Sequence, residues 1–93
     1  MITTVVVGNR AQKQLARMPT RIAEKLMAWV EAVTGDGLEE VRKLPGYHDE
    51  PLKGDRFGQR SIRLSIHYRA IYQVKRAGRV EFVSIEEVSK HGY

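Results

Sequence analysis

The stretch EPLKGDRFGQRSIRLSIHYRAIYQV, residues 50–74, decides how the chain is read. Its first half sets Pro51, Gly54 and Gly58 among alternating charges, a composition that interrupts helix and strand alike. Its second half switches to a period of two. Ile62, Leu64 and Ile66 alternate with Arg63 and Ser65, the pattern of a strand with one buried face. Residues 68–74 read as a second strand that follows almost without a loop. The sequence KRAGR at 75–79 then predicts a hairpin turn with Gly78 at its positive-φ position, and residues 80–88 predict a third strand.

Upstream, residues 2–7 are β-branched throughout and predict a short strand. Alternation is absent there, which implies burial on both faces or a sheet end covered by helices. Asn9 is placed to cap a helix over residues 10–18, and Pro19 ends it. Thr20 is placed to cap a second helix in which Ile22, Leu26, Trp29, Val30 and Val33 recur at helical spacing. Gly35-Asp36-Gly37 stops that helix. Residues 38–44 allow one or two further turns, and residues 45–51 predict no regular structure. The expected order is β-α-α-(short α)-β-β-β, an α+β architecture. Two to three N-terminal helices pack on one face of a small, mainly antiparallel four-stranded sheet, all within a single domain of residues 1–93.

With no cysteine among 93 residues, disulfide scaffolds and thiolate metal sites are excluded. No apolar run approaches the roughly 18 residues of a membrane span, and no signal peptide is recognisable at the N-terminus. The expectation is a soluble cytoplasmic protein with no membrane partner. Its net charge of +5 is unevenly placed. Between Lys53 and Arg79 lie eight basic side chains against Asp55 alone, whereas residues 1–52 are balanced and residues 80–93 are acidic. Cation concentrated in one part of a small domain, with aromatics interleaved, suits a polyanion-binding face.

Other site chemistries fit less well. The loop at 53–58 has two glycines and no following helix, so it lacks a nucleotide fingerprint. His48, Asp49, His67 and His91 lack the spacing of a zinc site, so no metal or other cofactor is expected. None of the serines sits in a nucleophile elbow. If the strands are regular, Arg63 and Arg69 leave the apolar stripe for the solvent face. Lys53, Arg56 and Arg60 stand near its rim, and Lys90, His91 and Tyr93 are placed to return to it. Such cations can simply guard a sheet against edge pairing. They can also bind phosphates through bidentate arginines, with Tyr or His stacking on an unpaired base. Cleaving RNA there needs a base for the 2′-hydroxyl, cations for the pentacovalent phosphorane and an acid for the leaving oxygen. His91 suits either proton transfer; Glu86, Glu87, a Lys or a Tyr are alternative bases.

The segments PLKGDR-x-G (residues 51–58), RSIRL (60–64) and YR-x-IY (68–72) resemble the RelE/ParE superfamily of toxins from type II toxin–antitoxin modules, most closely its HigB-like branch. The resemblance spans nearly the whole chain and is densest over residues 44–74. It implies a compact microbial ribonuclease fold and a metal-independent, ribosome-dependent endoribonuclease that cuts messenger RNA in the A site. It implies two partners, a cognate antitoxin and the ribosome with its messenger RNA. Lys53 matches the loop lysine of that branch, Arg69 its aromatic-Arg pair, and Arg63 a strand arginine that stabilises phosphate. His91 and Tyr93 fall where relatives keep a catalytic His or Tyr. The chain departs from the branch in carrying Glu50, not His, directly before Pro51, with His48 two residues earlier. The superfamily also contains ParE-type gyrase poisons without nuclease activity, and a non-catalytic basic nucleic-acid-binding module is the third reading.

Overall fold

The computed structural model of the chain describes residues 1–90. Five strands form one sheet: β1 (Thr4–Val7), β2 (Glu50–Pro51), β3 (Arg60–Arg63), β4 (Tyr68–Ala77) and β5 (Val80–Lys90). Their spatial order is β1-β5-β4-β3-β2, antiparallel except for β1 against β5. Three helices, α1 (Asn9–Leu15), α2 (Thr20–Asp36) and α3 (Leu38–Arg42), precede β2. The expected α+β layering is present, with one strand more than the four anticipated. The extra strand is β2, two residues long and too short to leave a period in the sequence.

One face of the sheet meets the helices. Ala11 from α1, Ile22, Leu26, Trp29 and Val33 from α2, and Leu38 and Val41 from α3 pack on Ile62, Leu64, Ala70, Tyr72, Val83, Ile85 and Val88. At the centre the Trp29 and Tyr72 rings lie 5.1 Å apart in a tilted pair, a geometry that the aromatic quadrupole favours. Glycine ends α2 as expected: Gly37 takes φ 88°, and its N–H donates to the Val33 carbonyl. Asn9 and Thr20 are the first helical residues rather than caps, and neither helix start has a side-chain cap.

β1 is an edge strand with Thr4 and Val6 exposed and Val5 and Val7 packed against the core, which is the second of the two expected arrangements, a sheet end covered by helices, and not burial on both faces. Another expectation about the strands fails. β3 stops at Arg63, because Leu64 and Ser65 N–H groups both turn to the Tyr68 carbonyl. That turn breaks the alternation after Leu64, and Ile66 is 71 % exposed instead of buried.

Beyond Val7, strand β5 loses its β1 neighbour. Helix α1 takes over the exposed edge, and the Val88 N–H donates to Gln14 Oε1 at 2.7 Å. Entry into α1 requires a close approach: the Gly8 N–H donates to the Ile85 carbonyl, and a Cβ at Gly8 would stand 3.1 Å from that oxygen.

The opposite face is covered only in its middle. The loop between β2 and β3, closed at its base by Leu52 N–H to the Gln59 carbonyl, carries Arg56 across the sheet to Glu87 on β5 at 2.9 Å. Arg10 of α1 reaches the same carboxylate oxygen at 3.4 Å. Beneath this bridge, in the row Ser61-Ile71-Glu87, Ile71 has no exposed surface. Opposite Tyr72 and Ile71, β5 carries a bulge at Glu86, which accepts from Ser84 and Gln73 and pairs with Lys75 at 3.0 Å. A bulge of this kind re-aims one side chain and leaves the pairing on either side intact.

Burial works to raise the Glu87 pKa, but the Arg56 hydrogen bond and the Arg56 and Arg10 charges outweigh it, so the pKa lies below the ordinary carboxylate value. A carboxyl with a lower pKa in the folded state stabilises the fold above its unfolded pKa and loses that contribution as pH falls through the folded one. Urea unfolding at stepped pH should therefore show stability falling on the acid side of about pH 4.5. Arg56→Met should flatten that fall and cost about 1 kcal/mol at neutral pH, the upper range for a pair with a partly exposed cation. Gln14→Ala should cost about 1–3 kcal/mol by stranding the Val88 N–H and should speed its amide exchange, whereas Gln14→Glu, which keeps an acceptor, should not.

Candidate functional site

Pairing in three dimensions removes half of the basic segment from consideration. Arg56 is bound to Glu87, Arg60 to Asp49, Lys75 to Glu86 and, more loosely, Arg76 to Glu81. Among the described residues, Lys53, Arg63, Arg69 and Arg79 have no ion-pair partner. Arg79 sits in the β4–β5 turn and Lys53 at the start of the β2–β3 loop. Arg63 and Arg69 are different, because they face each other directly across β3 and β4.

Like charges directly opposite on neighbouring strands destabilise a sheet. Here no carboxylate is inserted between them, and the row continues to the neutral Ser89 on β5. Arg69 Nε is buried without a hydrogen-bond partner among the described residues. A cleft of about 160 Å³ opens on this row, lined by His48, Glu50, Leu52, Ser61, Ile62, Arg63, Ser65, Tyr68 and Arg69. It begins where the Arg56 bridge ends, on the uncovered end of the outer face.

Two of its groups were not singled out as catalytic by sequence reasoning. His48 follows a 3-10 turn (Pro45–Tyr47) and adopts the left-handed conformation, φ 47° and ψ 50°. Its Nε2 lies 3.4 Å from Arg63 Nη1. A guanidinium only donates, so the contact is a hydrogen bond in the tautomer that carries the imidazole proton on Nδ1 and leaves Nε2 to accept. Glu50 pairs with Ser61 on the same face and makes no ion pair among the described residues. The motif Pro-Leu-Lys marks this neighbourhood in the sequence, but the turn that brings His48 to Arg63 leaves no periodic signal.

The expected RNA-binding residues are dispersed. Arg60 belongs to the row Pro51-Arg60-Tyr72-Ile85 on the helix-side face, where its Nε donates to Asp49 Oδ1 at 2.5 Å. Burial opposes its charge, but the hydrogen bond and charge of Asp49 prevail and raise its pKa. The Tyr72 hydroxyl donates to Asp49 Oδ2, also at 2.5 Å, and accepts from Arg42 Nε at 3.3 Å. Burial, reinforced by Asp49, pushes the Tyr72 pKa up to about 12, so the hydroxyl keeps the proton it donates. Arg56 is occupied by Glu87. Lys90 pairs with Tyr68, and alternation sets it apart from the Arg63-Arg69-Ser89 row. Lys53 is exposed beside the cleft but does not line it. His91 and Tyr93 lie outside the described residues. Among those residues no group of acidic and imidazole side chains is arranged to hold a metal ion, and no helix is long and apolar enough to cross a membrane.

Comparison with solved structures finds this fold repeatedly. The YoeB/ParE toxin from Agrobacterium tumefaciens is 21 % identical, with 96 % of this chain and 99 % of that one covered, at a TM-score of 0.68. YafQ from Escherichia coli is 16 % identical, with 92 % and 90 % covered, at 0.72. The toxin–antitoxin complex RelBE2 from Mycobacterium tuberculosis gives 23 %, 97 % and 99 %, at 0.62. A YoeB structure from Staphylococcus aureus, matched over 97 % of both chains at 17 % identity and a TM-score of 0.67, is a complex with YefM. Comparison with curated proteins found no match. The family model for the ParE toxin of type II toxin–antitoxin systems matches residues 5–90, and on that match the chain belongs to the ParE toxin family, within the RelE/ParE superfamily of type II toxins.

Proposed function

We propose that this toxin is a metal-independent endoribonuclease that cuts messenger RNA on the ribosome, in the cytoplasm, and so inhibits translation. The observation that carries the reading is the Arg63–Arg69 pair. Two like charges sit opposite one another on a rigid sheet, with no carboxylate between them, at the floor of an open cleft. A pair that costs the fold stability is relieved by an anion, and a phosphodiester is the anion that two arginines hold best.

The chemistry follows from where the groups stand. The 2′-oxygen attacks the adjacent phosphorus, the bond to the 5′-oxygen breaks, and a 2′,3′-cyclic phosphate and a 5′-hydroxyl result. Arg63 and Arg69 stabilise the charge gathered on the phosphorane in between. Glu50 or His48 takes the proton from the 2′-hydroxyl. The proton returned to the 5′-oxygen comes from the imidazolium form of His91, which follows β5 in the chain. Tyr68 and Tyr93 are the aromatic groups for stacking an unpaired base, and Lys53 stands where the strand would leave the cleft. A cognate antitoxin of complementary charge, covering the cleft, is the natural inhibitor, as the antitoxin complexes of the structural neighbours suggest.

Membership in the ParE family favours a second reading, a gyrase poison that shares the fold and lacks nuclease activity. The two readings share the fold, and the cleft groups favour the first. A pulse of expression in bacteria, with messenger-RNA 5′ ends mapped and DNA damage monitored, separates them. Cuts within translated regions that vanish when translation is blocked are the expected result. DNA damage without cuts would assign the chain to the gyrase poisons. Arg63→Ala and Arg69→Ala should each lower cleavage about 10²–10³-fold, the loss typical of one oxyanion donor. Glu50→Gln or His48→Gln, whichever removes the base, should lower it about 10²–10⁴-fold. Wild-type cleavage by Arg69→Ala would exclude the cleft as the active site.

A further inference from the structure

The segment from Tyr47 to Pro51 alternates. His48 and Glu50 turn to the cleft, while Asp49 turns the other way, beneath the edge of the sheet. The Asp49 side chain is 1 % exposed. Both of its oxygens are engaged, Oδ1 by Arg60 and Oδ2 by Tyr72, and Arg60 Nη2 also approaches its carbonyl oxygen at 3.5 Å. The partners are themselves fixed. Arg60 and Tyr72 face each other across β3 and β4, and Tyr72 is packed against Trp29 with no exposed surface.

His48 needs such an anchor. A left-handed conformation is unfavourable for a residue with a Cβ and persists only where its surroundings over-determine it. On one side the turn ends in Tyr47, packed against the core and overlain by the Lys25 ammonium at 4.9 Å from its ring centre. On the other side stands Asp49. A two-residue strand is too short to hold itself in register, so Glu50 depends on the same anchor.

Resting on the nuclease reading for its consequence but not for its geometry, we propose that Asp49 is a positioning residue, a buried hook held by Arg60 and Tyr72 that sets His48 and Glu50 against Arg63 and Arg69. This gives Arg60 a task other than RNA binding. It holds the carboxylate that places the proton-transfer groups. Tyr72 serves the core through its ring and the site through its hydroxyl.

The test compares the wild type with Asp49→Asn and Tyr72→Phe by the imidazole nitrogen resonances of ¹⁵N-labelled protein at one fixed pH, with His48 assigned through His48→Gln. Wild-type His48 should show the Nδ1–H form that accepts from Arg63. Both variants should move it toward the Nε2–H form of an untethered ring, while Trp29 emission remains that of a buried indole. Asp49→Asn leaves Arg60 without its carboxylate and is the variant more prone to unfold. Tyr72→Phe keeps the ring and the Arg60–Asp49 pair and carries the test alone if needed. Wild-type His48 resonances in a folded Tyr72→Phe protein would overturn the proposal. In cleavage assays, Tyr72→Phe should lower kcat about ten- to a hundredfold with little change in KM, the signature of misplaced groups. It should add no loss in a His48→Gln, Glu50→Gln background, and additive losses there would also overturn the proposal. A wild-type protein that cuts no RNA, yet shows the imidazole response, would refute the nuclease reading and leave the hook in place.

Discussion

Strand β4 is covered on both faces at its centre, and the rest of the molecule answers to that constraint. Ala70, Ile71 and Tyr72 are consecutive residues, and none has exposed surface. In a strand, neighbours point to opposite sides, so burial of all three requires a layer above and a layer below. The helices supply one layer through Trp29 and its neighbours. Among the described residues no second set of helices covers the other face. The loop between β2 and β3 does that work, fastened across the sheet by Arg56 on Glu87. A small protein thus closes its second face with an ion pair and a short loop rather than with apolar mass. The closure reaches only as far as the bridge does, and the site lies in what it leaves open.

The charges sort themselves by this layout. Over the covered part each cation has a carboxylate: Glu87 takes Arg56 and Arg10, and the bulged Glu86 takes Lys75. On the helix side Asp49 takes Arg60. These pairs meet the ordinary demand that a half-buried charge be compensated. At the open end the demand is not met. Arg63 and Arg69 confront each other, and among the described residues Arg69 Nε lacks a hydrogen-bond partner and neither arginine has an ion pair, although Glu50 lines the same cleft. A place where like charges face each other, on a sheet whose other half-buried charges are paired, is a good candidate for function.

The sequence made the helices and the long hairpin legible because each repeats a period several times over. Ile22, Leu26, Trp29 and Val33 announce α2, and Gly37 and Gly78 mark the turns that follow α2 and β4. Arg63 and Arg69 were legible as outward residues of alternating strands, and the superfamily was legible in PLKGDR and the Tyr68-Arg69 pair. What escaped depends on single contacts. Ile66 belongs to a turn set by two N–H groups converging on the Tyr68 carbonyl. The cation-rich segment looked uniformly available because its compensating acids, Asp49, Glu86 and Glu87, lie outside it in sequence. His48 reaches Arg63 only through one left-handed residue and a two-residue strand, neither of which has a period to detect.

Family membership and catalytic competence are separate properties of this fold, because different parts of the chain carry them. The fold is shared with solved structures at identities of 14 to 23 %. The cleft draws its groups from three places, His48 and Glu50 from the segment entering the sheet, Arg63 from β3 and Arg69 from β4. Register alone brings the two arginines together across β3 and β4. His48 and Glu50 have no such guarantee, since β2, two residues long, contributes too little pairing to fix them. Their placement draws on contacts outside β2, and one of these leads to the centre of β4. Tyr72 extends from it through Asp49 to the residues on either side. The doubly covered strand that the fold requires for stability is therefore also tied, through Asp49, to the segment that places His48 and Glu50 in the cleft.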